Sequence, residues 1–318
     1  MGEVWYTTRE EVRLALDFKE TARDNSRIDS AIEASAREIE GCLHRVFYPL
    51  VRTRKFDWPN SQRAKPWRLW LDDKQLISLT SVTSGSDVIP LANVILYPDS
   101  GPPYSRIEVN LDTNSAFGSG STHQNDIVIV GVWGFQNTES PAGALAEALD
   151  ASETLVDVTN SEIVGVGQLI RVESERMLVT GKQMLDTTQD LGGAGLTASN
   201  ADVTVPVTTG SAFAVGEVIL IDAERMLITD ISGNNLAVKR AWDGTVLAVH
   251  ATGASLFAPR TLIVERGALG TTAATHADTT VLVKWLAPST IRALNKAMAI
   301  DIVLQESAGG ARTSGSGE

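Results

Sequence analysis

The sequence predicts an α+β protein: N-terminal helices, an antiparallel β region and a C-terminal helix form one core, and an all-β, pseudo-twofold repeat domain is inserted into it. Three observations predict this class. Apolar residues recur at helical spacing only near the two ends of the chain. Patterns that alternate with a period of two begin at Val51. Between residues 151 and 283 the chain repeats itself in a nested order.

Two helices are predicted near the N-terminus. Thr7 and Thr8 offer capping hydroxyls before the acids of a first turn, and this short helix is expected to end near Phe18. A second N-cap is expected within residues 24–26. Cys42 lies on the second helix, where a lone cysteine is expected to be a buried structural thiol. The apolar face of this helix is expected to carry Ile28, Ile32, Ala36, Ile39 and Leu43.

Strands are predicted over residues 51–58, 67–71, 76–82 and 126–133, with turn clusters between them. Aromatic residues crowd this region. They have two interpretations: a tryptophan-rich core, or anchors of a contact between subunits. The aromatic residues concerned are Trp58, Trp67, Trp70, Trp133 and Phe135.

The nested repeat is the most informative pattern. Residues 154–181 match residues 203–230, and residues 236–257 match residues 262–283. The order of first half, first half, second half, second half predicts one copy inserted inside another. We call residues 203–257 the inner copy, and residues 154–181 with 262–283 the outer copy. Repetition of this kind is more typical of binding and assembly surfaces than of active sites.

A last helix is predicted after Pro288, and residues 307–318 are predicted to form a flexible tail. The apolar stripe of this helix is expected to carry Ile291, Leu294, Ala297, Met298, Ile302 and Leu304. The predicted domains are a core over 1–145, an inserted repeat domain over 146–284, a helix over 285–306 that returns to the core, and the tail. Removal of residues 151–283 is expected to leave a foldable remainder.

Composition limits the functional classes. The 318 residues are 43% hydrophobic and carry a net charge of −12, which argues against a protein that grips nucleic acid over its whole surface. Neither a membrane span nor a secretory signal is expected, so synthesis in a cytoplasm is expected. No catalytic, cofactor or metal motif is recognisable, and we expect no enzyme activity, cofactor or metal. A turn is expected at Asp72-Asp73, and structural hydrogen bonds are expected at His250 and His276.

Several phrases, in this order, resemble the head-to-tail adaptor proteins of long-tailed bacteriophages, especially those that infect actinobacteria. The repeat module is similar to short β repeats of phage structural proteins and is not a required part of the family. The phrases are an alanine-rich helix over 26–43 running into Arg45-Val46-Phe47-Tyr48-Pro49, then Phe56-Asp57-Trp58-Pro59, residues 66–72, Gly101-Pro102-Pro103-Tyr104 and Gly131-Val132-Trp133-Gly134-Phe135.

The resemblance implies a virion structural protein at the head-to-tail interface, assembled as a ring of twelve copies beneath the portal. Its implied partners are itself, the portal protein and a downstream stopper or tail-terminator protein, with DNA passing through the ring without sequence-specific binding. Portal docking would fall to Ile291, Leu294, Met298, Ile302, Leu304 and Arg312. Subunit contacts or core packing would fall to Ile28, Ile32, Arg37, Trp58, Trp67, Trp70 and Trp133.

Two other functional hypotheses are compatible with the sequence. In one, the chain is a receptor-binding or decoration protein of a phage tail that uses the repeats to bind glycan or a host surface. In the other, scattered acids form a glycosidase site, which needs two carboxylates about 5 to 10 Å apart in a cleft.

Overall fold

The computed structural model describes residues 4–17, 21–58, 65–71 and 75–314, with the side chains of Ala22 and of residues 307–314 excepted. The fold is mixed α and β, mostly β, with large antiparallel sheets and three helices in the described residues. The helices are α1 (Arg9–Leu16), α2 (Ala22–Leu43) and α3 (Ser289–Ser314). Phe18 and Asp72-Asp73 lie outside the described residues.

Side-chain caps begin the first two helices. The Thr8 hydroxyl accepts a hydrogen bond from the backbone N–H of Glu11, and that of Thr21 accepts one from the N–H of Asp24. The second helix therefore begins before the predicted cap at residues 24–26. The prediction for Cys42 was wrong: it is exposed, because it lies outside the apolar stripe of α2.

The strands form three sheets. A four-stranded sheet has the order β1-β7-β3-β4 and a three-stranded sheet the order β2-β6-β5. A ten-stranded sheet has the order β12-β15-β14-β13-β16-β11-β10-β17-β8, and β9 pairs with β16. The strands are β1 (Leu50–Phe56), β2 (Arg68–Trp70), β3 (Leu76–Ser84), β4 (Asp87–Ile89), β5 (Val94–Tyr97), β6 (Arg106–Val109), β7 (Ile127–Trp133), β8 (Glu139–Ala144), β9 (Leu155–Asp157), β10 (Leu169–Val172), β11 (Glu175–Asp190), β12 (Thr204–Pro206), β13 (Val218–Ile221), β14 (Glu224–Ser232), β15 (Asn235–Lys239), β16 (Ser255–Glu265) and β17 (Val281–Trp285).

The ten-stranded sheet extends past the predicted repeat domain. The strand β8 (Glu139–Ala144), which falls in the predicted core of residues 1–145, is a strand of this sheet, and Trp285 at the end of β17 pairs with Glu139. Two long strands, β11 and β16, pair with each other along most of their length, from Leu178↔Glu265 to Asp190↔Ser255. The strand β16 begins in the inner copy and ends in the outer copy, and it pairs with β13 of the inner copy as well as with β11, so one continuous sheet joins the two copies.

The closing helix α3 packs against the N-terminal helices. Its buried Asn295 accepts hydrogen bonds at Oδ1 from the backbone N–H of Tyr6 and Thr7, each at 3.1 Å. The amide nitrogen of Asn295 donates to the carbonyl of Ile32 and to the hydroxyl of Ser35, at 3.1 and 2.7 Å. This single side chain therefore ties both ends of the chain together.

The buried face of α3 differs from the predicted stripe. Leu294 is 42% exposed and Leu304 is 51% exposed, whereas the unpredicted Ala299 and Val303 are fully buried against Ile28. The buried positions Ile291, Asn295, Ala299 and Val303 follow one another at a spacing of four, and the amide of Asn295 breaks the apolar pattern predicted from sequence. This helix also extends to Ser314, into the predicted tail, because a formed helix propagates at low cost through residues such as Ala308 and Ala311.

One buried cluster is shared by the N-terminal segment, α2 with the segment that follows it, the outer copy, β17 and α3. Its members are Val4, Tyr6, Ala36, Ile39, Phe47, Leu169, Leu178, Ala268, Trp285 and Ile291. Three of these, Leu169, Leu178 and Ala268, belong to the outer copy. Residues 151–283 thus contribute side chains to the core that the N-terminal helices and α3 also use.

Further contacts attach the N-terminal segment to the outer copy. The backbone N–H of Arg9 donates to the carbonyl of Val166 at 3.1 Å, and the N–H of Val166 donates to the Glu10 carboxylate at 2.9 Å. Gly167 has a φ of +90°, and a Cβ there would lie 2.1 Å from the Trp5 ring. Glycine is required at this position because the backbone has a positive φ and because the indole of Trp5 leaves no room for a Cβ.

Candidate functional site: a duplicated network and two outward faces

The two copies share one hydrogen-bond geometry, and in each copy a buried glutamate lies at its centre. In the outer copy, Glu175 receives two hydrogen bonds from the guanidinium of Arg266, at 2.7 and 2.8 Å, and one from Nε2 of His276 at 2.8 Å. The backbone N–H groups of Gly267 and Ala274 each donate to it at 3.0 Å. Both oxygens of the carboxylate are therefore held by several donors.

The inner copy contains the same network. Glu224 binds the guanidinium of Arg240 at 2.7 and 2.8 Å and Nε2 of His250 at 2.9 Å. The N–H groups of Ala241 and Ala248 donate to its two oxygens at 2.9 and 3.0 Å. Even the outer nitrogen of each imidazole matches, since Nδ1 bonds an exposed acid that precedes the glutamate by two positions, Glu173 or Asp222.

These hydrogen bonds determine the charge state of both carboxylates. Burial by itself would raise their pKa, but the arginine, histidine and backbone donors outweigh it and lower the pKa of Glu175 and of Glu224 to about 2. Each arginine also donates to backbone carbonyls of two loops: Arg266 to Asp150, Glu153 and Ala274. The network thus fastens loops to strands, which is a structural task, and both histidines form hydrogen bonds as the sequence predicts.

The matched ranges align Arg240 with Arg266 and His250 with His276, but only the structure shows that each arginine and histidine bind one buried carboxylate. In each copy, segments distant in the chain meet on one carboxylate, and each glutamate is the first residue of the phrase Glu-Arg-Met-Leu, which recurs at 175–178 and 224–227. The apolar cores repeat too. Met177 of one cluster corresponds to Met226 of the other, and Val156 to Val205.

The predicted contact residues divide into buried and outward positions. Ile28, Ile32 and Trp133 are fully buried. Trp58 and Trp67 pack partly buried against the Trp133 core. These five therefore belong to packing, and the core interpretation of the tryptophans is correct for Trp133.

Arg37 has an internal role as well. Its guanidinium donates to the carboxylate of Glu40 at 2.8 Å and to the backbone carbonyl of Val4 at 2.6 Å. The phenol of Tyr6 donates to the same glutamate at 2.5 Å, and burial together with this bond raises the Tyr6 pKa. Arg37 thus holds the N-terminal segment on α2.

Trp70 differs from the other tryptophans because it lies on the outward face of the three-stranded sheet. Its neighbours Leu69 and Leu71 are buried in the core, so the alternation of a strand places Trp70 on the opposite side. The register sets Trp70 beside Arg106, and Arg106 beside Tyr97. The guanidinium lies 5.3 Å from the Trp70 ring centroid and 4.2 Å from that of Tyr97.

We call Arg68, Trp70, Ile95, Tyr97 and Arg106 the arginine–aromatic face. Glu108 lies among them, bonded to Arg68 at 2.6 Å and paired with Arg106 at 3.0 Å. Tryptophan, tyrosine and arginine are the residues most enriched at energetically important positions of protein interfaces. The sequence offered a weak signal for this face, the alternation Arg68-Leu69-Trp70, but Arg106 and Tyr97 join it only through strand pairing.

A shallow cleft lies where the N-terminal segment meets α3. Trp5, Glu11, Lys284 and Arg292 are among its lining residues. Burial lowers the pKa of Lys284, whose ammonium donates to the carbonyl of Ile163 at 2.6 Å. Arg292 pairs with Glu11. Both cations of the cleft therefore already have partners within the chain.

No protein-family model, curated protein or solved structure that we searched matches this chain. Within the described ranges, no helix is both long and apolar enough to cross a membrane. In the same part of the chain, no group of three or more histidine, cysteine, aspartate or glutamate side chains is arranged to hold a metal ion.

Proposed function

We propose that this chain is a head-to-tail adaptor of a long-tailed bacteriophage, a structural protein that forms a ring between the portal and the tail. The observation that supports it most is the return of α3 to the N-terminal helices, tied by Asn295 to Tyr6, Thr7, Ile32 and Ser35. The resemblance in residues 26–135 implies this same helical body beside an antiparallel β region. A function in assembly also agrees with networks that fasten loops to strands.

In this proposal the helices and the two smaller sheets form the connector core, and the nested copies form an inserted domain. Support for the insertion comes from the partners of the two glutamates. Glu224 finds its arginine and histidine within residues 203–257, whereas Glu175 finds them in residues 262–283, beyond the inner copy. The shared cluster around Tyr6 and Phe47 then makes the outer copy part of the connector body.

A ring of identical copies needs two different surfaces that fit each other. The arginine–aromatic face supplies one, with Trp70 as its anchor. DNA would pass the lumen without adhering, because a net charge of −12 per copy repels the phosphate backbone over most of the surface. The virion's head-to-tail interface would be its location, and the portal, the downstream tail protein and twelve-fold self-assembly its partnerships.

Portal docking falls to the outer surface of α3. Leu294 and Leu304 are the predicted docking residues that stay exposed. The buried face of α3 holds Ile291, while Met298 and Ile302 pack against internal clusters, so these three position the helix instead of contacting the portal. Arg312 lies on the last turns of the helix, where its side chain is outside the described atoms.

The experiment is electron microscopy of the purified protein mixed with the portal protein of the same phage. Rings seated beneath the portal are expected. Truncation after Glu306 should leave the melting temperature unchanged, because Val303 is the last buried residue of α3 among the side chains that the structure describes, yet weaken portal binding. Portal particles that bind no copies of the full chain, or glycan binding by the full chain in place of portal binding, would contradict the proposal.

A further inference from the structure

The two copies share their network but differ on one exposed surface. Val203, Val246 and Val249 of the inner copy are 39%, 81% and 69% exposed. The corresponding positions of the outer copy hold threonine in all three cases, and these are exposed as well. The threonines are Thr154, Thr272 and Thr275.

Folding does not account for this difference. Both copies build the same carboxylate network, with threonine in one and valine in the other. Valine and threonine have nearly the same shape, so the exchange changes mainly the polarity of the surface. Valine side chains form no hydrogen bonds with water, so a group of exposed valines is typical of a surface that a partner covers.

Arg240 joins the two loops that carry the three valines. Its guanidinium donates to the backbone carbonyls of Thr197 and Asp202 on one loop, at 3.2 and 3.0 Å, and to that of Ala248 on the other, at 2.7 Å. Val203 follows Asp202 and Val249 follows Ala248, so the network brings both loops to one place. We call Val203, Val246 and Val249 the valine face.

Acidic side chains border the valine face. Asp222 is exposed and bonds Nδ1 of His250 beside Val249, and the half-buried Asp202 precedes Val203 and accepts hydrogen bonds from Thr197. The partner of such a face needs apolar or aromatic groups together with positive charge.

The chain itself contains a segment of this kind. Seven of its 27 lysines and arginines, but only one of its 39 acids, fall within residues 45–68, which lead into the arginine–aromatic face. Trp70 supplies an aromatic group there, and Arg68 and Arg106 supply two positive charges that the single carboxylate of Glu108 offsets only in part. Charge complementarity therefore favours another copy of this chain as the partner.

We propose that the valine face of one copy binds the arginine–aromatic face of a second copy, which gives the ring its head-to-tail contact. This inference rests on the proposed ring and assigns its second surface. The inserted inner copy thereby becomes part of the subunit interface, where a duplicated module has acquired a contact that its sister lacks.

The test is site-directed cross-linking between two differently marked copies. One copy carries Val249→Cys and the other Tyr97→Cys, both with Cys42→Ser because Cys42 is exposed. A disulfide-linked dimer is expected only when the two marked copies are mixed. It should form both in concentrated protein without the portal and in rings bound to the portal. A matched control places Val281→Cys, an exposed position of the outer copy, against the same Tyr97→Cys partner and should give no dimer.

A second variant gives the inner copy the residues of its sister: Val203→Thr, Val246→Thr and Val249→Thr. Copy-to-copy association, measured by sedimentation, should weaken by about tenfold or more, because three apolar side chains no longer gain from burial. The reciprocal exchange in the outer copy, Leu155→Thr with Val281→Ser, should leave association unchanged. Equal weakening in both exchanges would overturn the proposal.

The outcomes separate this inference from the adaptor proposal. Portal-bound rings that form no Val249–Tyr97 cross-link overturn the valine contact and leave the adaptor function standing. The valine face seated against the portal in an electron microscopy map does the same. A cross-linked dimer without portal binding supports the contact and contradicts the adaptor function.

Discussion

Arg266 donates two hydrogen bonds to Glu175, a residue 91 positions earlier in the chain, whereas Arg240 makes the same pair with Glu224 only 16 positions earlier. The geometry of the two pairs is nearly identical. Their connectivity is different: the pair in the outer copy closes a long loop that contains the whole inner copy. Equivalent mutations in the two copies should therefore destabilise different parts of the chain.

Replacement of Arg240 by methionine should destabilise the inner copy by about 3–5 kcal/mol, because it leaves the buried carboxylate of Glu224 without its main cation. Hydrogen exchange measured by mass spectrometry should rise over residues 203–257 and stay unchanged in α2 and α3. In Arg266→Met, the outer copy shares its core with Tyr6 and Phe47, so exchange should rise across the helices too. The double variant Glu224→Gln/Arg240→Met should recover part of the loss. Identical exchange patterns in the two single variants would show that the copies unfold as one unit.

Acid should destabilise the protein through the two buried glutamates. Their folded pKa of about 2 lies below the ordinary value of 4.5, so the stability they contribute is complete above pH about 4.5 and is lost as the pH falls toward 2. Each carboxylate contributes up to about 3 kcal/mol to this change. Urea unfolding between pH 7 and pH 2.5 should show the decline, and Glu224→Gln should make it shallower. A slope that Glu224→Gln leaves unaltered would assign the acid sensitivity to other groups.

Deletion of the inner copy should be tolerated. Gln183 of β11 and Thr261 of β16 are direct cross-strand partners, so an Asn-Gly turn in place of residues 184–260 closes a two-residue hairpin. The shortened chain should unfold cooperatively and keep its near-ultraviolet circular dichroism. Deletion of residues 151–283, expected from sequence to leave a folded remainder, should instead give an unfolded protein, because Leu169, Leu178 and Ala268 leave the shared cluster. A folded product of the larger deletion would show that this cluster is dispensable.

Asn295→Ala should lower the free energy of unfolding by roughly 2–4 kcal/mol, since the backbone N–H groups of Tyr6 and Thr7 lose a buried acceptor. Leu294→Ala, next to it on the exposed side of α3, is the matched control and should stay within about 0.5 kcal/mol of the wild type. Denaturant titration measures both. Similar losses for the two variants would contradict the central position of Asn295.

Sequence periodicity located the helices because burial of one face imposes a spacing of three to four residues, as Ile28 and Ile32 show. For α3 it located the helix but not all of the buried face, where Asn295 occupies the centre and two of the predicted leucines face outward. A buried amide is compatible with that position only because four partners from distant segments satisfy it. Those partners are invisible in a local pattern.

The sequence by itself determined the class of fold, the nested order of the repeats and the pairing of Arg240 with Arg266 and of His250 with His276, because these depend on local periodicity and on internal similarity. Only the tertiary structure decided that Glu175 and Glu224 are the centres of those networks. It also decided that the outer copy shares a core with the chain ends, and that Trp70 faces outward beside Arg106 and Tyr97. Such relationships depend on strand register and packing between segments far apart in the chain, which no local pattern of residues encodes.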